Sequence, residues 1–446
     1  MSDIIHDIII IGSGPAGATL AESLIEEEKK VLVIDQGYNL NTKVKKNSSA
    51  NTSYHPKIIQ KKFKFVNYNF KKKNKIVENN FSVLGSLALG GLSNVWGGGY
   101  WEKNEKKINL NIDKFLSKNF KIINFDINNS KILTEYLNNK LNENYFKHAD
   151  LLSLKNENEI YNSKKTIEKL IPYKNFNYLG NIFIDKIEKN ENFYTCVDEN
   201  NVRYNCKKLI LACGTIGSTR LIIALSNLYN KNVKLYHNLN FGFIGYLKKS
   251  LKYDSFDSHS AHSVFFFDNS KLKKKVSGSI GRFNNDLKRL IYKKFFFPLN
   301  YLVNKFLEVF KYRLIFGNIF FPSEFSNTNI KMDTNKNLII NGSINLNLNK
   351  EKKEILKEFF SKNKKNFYKL YFKKFPIGSD AHYTSTMSQN TNIEELKTNE
   401  NGELIKYKNL FITDASILPP DGPHFPTFQI MVNSYKLGKH IAKLDD

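Results

Sequence analysis

The hydrophobic pattern of the chain changes period twice within its first thirty-seven residues. Asp7 to Ile11 is a short apolar β-branched run, which predicts a buried strand. It breaks at Gly12-Ser13-Gly14-Pro15-Ala16-Gly17. The pattern then turns helical, with Ala18, Leu20, Ala21, Leu24 and Ile25 on one face. A second apolar run, Val31 to Ile34, ends in Asp35. Strand, glycine turn, helix and strand in this order predict a βαβ unit with a dinucleotide site at its turn. Gly12 lets the strand turn sharply, Gly14 lets a pyrophosphate approach the backbone, and Gly17 lets the helix pack close to the strand. Asp35 follows Gly12 by 23 residues, where a carboxylate accepts hydrogen bonds from a ribose.

Further along, residues 38–80 are polar and lysine-rich and read as a long surface excursion or lid. Glycines cluster at 85–99. Residues 103–175 are irregular, with helices expected around 111–118 and 130–147. From 178 a β meander leads into a buried strand, Lys208 to Ala212, and a second glycine turn into a helix. Residues 236–400 mix strands and helices, and 409–443 return to an apolar strand, a loop and a helix. Cofactor-type elements at the start, middle and end predict an α/β fold, α+β overall. A discontinuous Rossmann-like cofactor domain (1–105, 176–235 and 400–446) is interrupted by a sheet-plus-helix substrate or cap domain (106–175 and 236–399).

Composition narrows the function classes. The 446 residues carry 68 Lys+Arg against 42 Asp+Glu, a formal net charge of +26. The lysines are scattered among asparagines, so a bias toward Lys, Asn, Ile and Phe explains the surplus better than a nucleic-acid site, for which no motif is visible. An anionic surface partner remains open. No run of eighteen apolar residues and no signal-peptide pattern is visible, and Cys196, Cys206 and Cys213 show neither disulfide nor metal spacing. No metal is expected, and a cytoplasmic location is.

Four separated segments then agree. They are the glycine turn at 12–17, the loop Leu89-Gly90-Gly91-Leu92-Ser93-Asn94-Val95-Trp96-Gly97-Gly98-Gly99, the strand and turn Leu209 to Leu221, and Asn409 to Pro420 running into Pro426-Thr427. Together, in this order, they resemble the glucose–methanol–choline family of FAD-dependent oxidoreductases. The GGLSNVWGG form looks nearer the sugar-oxidising branch. The resemblance implies FAD as cofactor, held by Gly12, Gly14, Gly17 and Asp35. It also implies a loop beside the flavin ring with Gly91, Ser93, Asn94 and Gly97. Ile184 would lie at the adenine, and Ala212, Asp414 and Thr427 at the remaining cofactor wall. Trp96 either walls the flavin or packs in the core. Cys213 reads as a small buried residue rather than a nucleophile. No histidine stands in the flavin loop, so FAD is expected to be released on denaturation.

The resemblance also singles out two of the nine histidines. His382, in Ser379-Asp380-Ala381-His382-Tyr383-Thr384-Ser385-Thr386-Met387, resembles the family's H-x-x-G-T-x-x-M stretch. Ser385 stands where the family has glycine, and the methionine is displaced to 387. His424, in Asp421-Gly422-Pro423-His424-Phe425-Pro426-Thr427, matches a position held by His or Asn. An alcohol proton is too weakly acidic to leave unaided at neutral pH, and a neutral imidazole suits its removal as hydride passes to flavin N5. His424 is expected as the base and His382 as a hydrogen-bonding partner, with exchanged roles left open. The expected activity is oxidation of an alcohol on a sugar, cyclitol or sugar conjugate. Alternatives are an apolar lipid or terpenoid substrate, suggested by Phe265, Phe266, Phe267, Phe295, Phe296, Phe297, Phe320 and Phe321, or flavin binding without turnover.

Residues 287–316 carry seven Lys/Arg against Glu308 alone. Leu302, Phe306 and Phe310 recur at four-residue spacing, and Pro298 divides the stretch into two expected helices. Such a basic amphipathic stretch packs on the core, roofs an apolar site, or lies in an anionic membrane interface, which would place the enzyme at the inner membrane face.

Overall fold

The computed structural model describes residues 4–37, 67–99, 118–123, 127–139, 145–157, 159–252, 262–272, 274–283, 299–420 and 425–444. The first βαβ unit forms as its pattern predicts, with strand Ile5–Ile11, helix Pro15–Glu26 and strand Val31–Ile34. Pro15 sits in the first helical turn, where its missing N–H costs nothing. The two strands pair in parallel, Ile8 opposite Val31 and Ile11 opposite Ile34.

This unit seeds a seven-stranded sheet drawn from three stretches of chain. Its path runs Phe176–Leu179, Val31–Ile34, Ile5–Ile11, Arg203–Leu211, Tyr194–Asp198, Ile184–Lys189, and Leu410–Ile412 also pairs with Arg203–Leu211. The strands at its centre are parallel and buried on both faces, which explains their unbroken apolar character. Ile8 and Ile10 face one way, against Leu20 and Leu24 of the Pro15–Glu26 helix and Leu437 and Ile441 of the Pro426–Lys443 helix. Ile9 and Ile11 face the other way, into a second core with Ile216, Leu221 and Met387.

The inserted part is a six-stranded antiparallel sheet in the order Phe367–Lys374, Leu239–Leu247, Leu314–Phe321, Lys275–Arg282, Ser263–Asp268, Phe146–His148. Helices Ile127–Asn139 and Asn349–Asn363 pack their apolar residues against it, with Leu133, Leu137, Ile355 and Phe359 fully buried. The fold is thus α/β, with a discontinuous Rossmann-like sheet and an inserted sheet-plus-helix layer. Among the described residues, no helix is long and apolar enough to cross a membrane.

Several local expectations are corrected. The helix expected over 130–147 spans Ile127–Asn139, and Phe146–His148 is a strand paired with Ser263–Phe265. The strand is only three residues long, Phe146-Lys147-His148, too short to show an alternation of its own against the helical pattern before it. The expected 111–118 helix lies outside the described residues apart from Lys118, as does most of the 38–80 excursion. What is described of that excursion is not a free lid: Ile76–Asn79 pairs in parallel with Leu338–Asn341 in a four-stranded sheet. Helix Ser163–Leu170, read from sequence as part of the cap, buries Ile167 and Leu170 in the core of the cofactor sheet.

Candidate active site

A cavity of about 230 Å³ opens at the carboxyl end of the parallel strands, where the sheet's central strands give way to glycine turns. The backbone at Gly12 has φ +107, a conformation glycine adopts without strain. A Cβ there would stand 2.4 Å from the Ala212 carbonyl oxygen. A Cβ on Gly17 would stand 1.9 Å from the Gly12 carbonyl oxygen, so this glycine lets helix and turn touch. Gly14 is different. It lines the cavity, and a Cβ on it would meet nothing within 4 Å. The turn therefore keeps an open space at the N-terminus of the Pro15–Glu26 helix, where N–H groups and the helix dipole favour an anion.

Asp35 forms the adjoining wall. Its carboxylate accepts from the Ser13 hydroxyl and from the backbone N–H groups of Ser13, Gln36 and Gly37, yet burial pushes its pKa up to about 6. Because this folded value exceeds the ordinary 3.8, the group's contribution to stability is intact below pH 3.8 and is lost as pH rises through about 6. Above pH 6 the ionised carboxylate costs the cofactor-free protein at most about 3 kcal/mol, less whatever the cavity water screens. Asp35→Asn is therefore expected to melt several degrees higher than the parent at pH 8 and alike at pH 3.5 when cofactor-free, while binding FAD more weakly. Equal melting at pH 8 would remove the stated cost.

The loop at 89–99 crosses the cavity as a short 3-10 turn, Gly91–Asn94. Gly91 has φ +57, and a Cβ on it would lie 3.2 Å from the Gly14 Cα, so the two glycine turns nearly touch. Ser93 lines the cavity while its hydroxyl donates to the Gly90 carbonyl at 2.6 Å and meets Ser163 Oγ at 2.9 Å. Asn94 and Gly97 do not line the cavity. The Asn94 amide instead ties the loop to itself, donating to the Leu89 and Gly91 carbonyls at 2.8 and 2.9 Å. Trp96 lines the cavity and donates from Nε1 to the Tyr161 carbonyl at 2.7 Å.

Across the cavity, Ile184 and Ala212 line the wall, and Thr427 does so from the first turn of the Pro426–Lys443 helix. Arg220, unremarked in the sequence, holds the Ile184 segment by donating to the carbonyls of Ile184 at 2.6 Å and Asp185 at 2.8 Å. The Asp414 carboxylate accepts from Ser218 Oγ at 2.5 Å and Ser416 Oγ at 2.6 Å, and burial raises its pKa. It lines the cavity and anchors this wall. The Cys213 thiol donates to the Ile11 carbonyl at 3.3 Å and is pushed up to about 12 by burial, so it is protonated at neutral pH and not a nucleophile.

His382 reaches the cavity from a tightly held loop. Tyr383 donates from its hydroxyl to the Gly378 carbonyl at 2.6 Å, and Thr215 donates to the Tyr383 carbonyl at 2.6 Å. The loop is thereby fixed to the second glycine turn. Ser385 has φ +69: the serine that replaces the family's glycine keeps a left-handed backbone. Ala381, on the other side of the histidine, has φ +59. A left-handed non-glycine residue costs about 1–2 kcal/mol, and glycine's extra chain entropy about 0.5–1. Ala381→Gly is thus expected to stabilise the fold by up to about 1 kcal/mol in denaturant titration; a clear loss of stability would contradict the backbone assignment.

The surroundings of His382 set its chemistry. Phe320 and Phe425 pack on its ring at 5.4 and 5.9 Å between centroids, and its Nδ1 is buried with no hydrogen-bond partner among the described residues. Burial lowers its pKa, opposed by the Asp380 carboxylate. Asp380 is itself buried, accepts from the backbone N–H groups of Asn238 at 2.8 Å and His382 at 3.3 Å, and lies 3.3 Å from Nδ1 of His237. His237 holds its pKa below the ordinary carboxylate range against the effect of burial. Neither Asp380 nor His237 was singled out from the sequence, and only the position of Asp380 two residues before His382 gave a signal. His424 lies outside the described residues.

The cradle fits FAD: an open space over Gly14, a helix N-terminus for the pyrophosphate, Asp35 beside it, and a cavity continuing between Gly91, Ser93 and Ala212. The comparisons agree. Residues 7–50 match the family described as FAD binding domain. Pyridoxine 4-oxidase from Mesorbium loti superposes with a TM-score of 0.65 at 11% identity, covering 98% of this chain and 99% of that one. Formate oxidase does so at 0.65 and 13%, covering 99% of each. No curated protein matches in sequence. The cofactor is FAD, and the architecture is that of the flavin-dependent oxidoreductases. At the level of the fold, the resemblance to the glucose–methanol–choline type holds.

Proposed function

We propose that this chain oxidises a CH–OH group of a small polar donor, a sugar, cyclitol or sugar conjugate, with a histidine taking the alcohol proton. The observation that carries the reading is His382: an imidazole at the cavity wall, kept neutral by burial, with a buried nitrogen that has no partner among the described residues. Bound at the cradle, the flavin supplies the acceptor for the hydride. Gly12, Gly14 and the Pro15–Glu26 helix hold the pyrophosphate, and Asp35 orients the ribose. His382, or His424 if the roles are exchanged, accepts or shares the hydroxyl proton, and the Asp380 carboxylate behind it favours the imidazolium that results. Phe320 and Phe425 exclude water from that side of the ring. The first turn of the Pro426–Lys443 helix aims its N–H groups at the cavity and favours negative charge there.

A polar donor is supported by the form of the 89–99 loop and by the neighbours' names, oxidases of pyridoxine and of formate. Of the aromatic residues that suggested an apolar substrate, Phe265, Phe267 and Phe321 are core residues of the inserted sheet, Phe266 and Phe320 pack on Phe425 beside His382, and Phe295 to Phe297 lie outside the described residues. The test is anaerobic mixing of the FAD-loaded protein with a panel of polyols, sugars and long-chain alcohols. Bleaching of the flavin absorbance by a polyol or sugar supports the reading. Bleaching by long-chain alcohols alone, or by none, overturns it.

A further inference from the structure

Helix Leu299–Phe310 lies apart from the cofactor cavity and turns an apolar face outward. Leu302, Phe306 and Val309, spaced i, i+4 and i+7, are 60%, 55% and 71% exposed, and Tyr301 beside them is 52% exposed. Soluble surfaces carry single apolar residues commonly, but not a row of large ones along one helix. The row also continues beyond the helix. Phe306 packs on Phe310 at 4.4 Å, Phe310 on Tyr246 at 5.7 Å, and Tyr246 on Tyr368 at 6.0 Å. Next along, Tyr371 and Ile244, cross-strand partners in the inserted sheet, are 58% and 44% exposed.

Cations are interleaved with this strip. Lys305 lies 4.7 Å over Tyr301, Arg313 5.8 Å over Tyr246, Lys248 6.0 Å over Tyr368 and Lys369 4.9 Å over Tyr371. The helix carries one acid, Glu308, which pairs with Lys311 at 2.9 Å. Residues 359–379, which include the edge strand Phe367–Lys374, contain six lysines and no acid. Lysines on an edge strand also deter strand pairing. That role does not account for the exposed apolar side chains of Leu302, Phe306 and Val309 on a separate helix.

We propose that this strip is a docking surface for an anionic lipid bilayer, with Leu302, Phe306 and Val309 entering the interface and the lysines and arginine meeting lipid phosphates. Three features favour a bilayer over an acidic protein. The exposed apolar row lies along a helix, tyrosines add amphipathic rings beside it, and long cationic side chains stand over those rings where they can snorkel to headgroups. The positive strip and the overall +26 charge complement an anionic leaflet. The proposal concerns location and is independent of the donor the enzyme oxidises.

The test is co-sedimentation of the FAD-loaded full chain with vesicles of phosphatidylglycerol and phosphatidylcholine, against phosphatidylcholine alone, at low and high salt. Binding to the anionic vesicles is expected, weakening with salt. The double variant Phe306→Ser, Val309→Ser keeps every charge and is expected to bind at least tenfold more weakly, with unchanged FAD content and circular dichroism. The charge variant Lys305→Gln, Lys369→Gln is expected to lose salt sensitivity along with affinity. Absence of binding at low salt overturns the proposal and leaves an acidic protein as the partner to seek. Binding unaffected by the serine substitutions overturns it equally, because charge alone would then explain the attraction.

Discussion

The Gly14→Val variant is expected to purify folded but colourless. Gly14 has φ −62 and a Cβ placed on it meets no protein atom within 4 Å, so valine is tolerated by the cofactor-free fold. The same side chain enters the space above the helix N-terminus that the pyrophosphate needs. Losing that approach should weaken FAD binding by at least about 100-fold, roughly 3 kcal/mol. The contrast is with Gly12 and Gly17, where a Cβ would strike backbone at 2.4 and 1.9 Å and the fold itself would suffer. The measurement is FAD released per chain, read by fluorescence after denaturation, beside circular dichroism of the intact protein. A folded, yellow Gly14→Val protein with full occupancy would place the pyrophosphate elsewhere.

Removing the His382 imidazole is expected to slow flavin reduction while leaving FAD bound. A positioned general base contributes roughly 10²–10⁴-fold, equivalent to about 3–5.5 kcal/mol of barrier. His382→Ala should lose that much if His382 is the base. If His424 is the base, the larger loss moves to His424→Ala, and His382→Ala retains a smaller one from the lost hydrogen bond. The pH dependence gives a second reading. A base must be unprotonated to act, and burial holds the His382 pKa below its ordinary 6.5. The reduction rate should therefore be flat at neutral pH and fall only as pH drops below that lowered value. Replacing Asp380 by Asn removes the carboxylate that opposes the shift, so the acid limb should move further down in pH. Wild-type rates in both histidine variants would refute the assignment.

What the sequence revealed and what it concealed follow from the range of the interactions involved. The βαβ unit was legible because strand, turn and helix are local, and because Gly12, Gly14 and Gly17 stand within six residues of one another, Gly17 directly against the Gly12 carbonyl. The second turn, at Cys213-Gly214, was legible for the same reason. The structure also explains the departure at Ser385: the left-handed backbone survives the loss of glycine. Contacts between distant segments were not legible. Arg220 reaches the carbonyls of Ile184 and Asp185 across about 35 residues, and Ser163 meets Ser93 across 70. The Asn94 amide donates to the loop's own carbonyls, a pairing set by the geometry of the loop that its residue type did not show. The pairing of His237 with Asp380 joins residues 143 apart and had no local trace. The strand Phe146–His148 was overrun by the helical pattern before it, as happens when a strand is only three residues long.

The account rests on FAD occupying the cavity over Gly14, and the cofactor content of the purified protein tests that most directly. The absorbance spectrum of the wild-type chain should show a bound flavin, and denaturation should release about one FAD per chain, intact by mass, since the 89–99 loop offers no histidine for a covalent bond. Apoprotein stripped of cofactor should take up FAD stoichiometrically, and the Gly14→Val protein should not. A wild-type chain that purifies without flavin and fails to bind added FAD would contradict the account at its base.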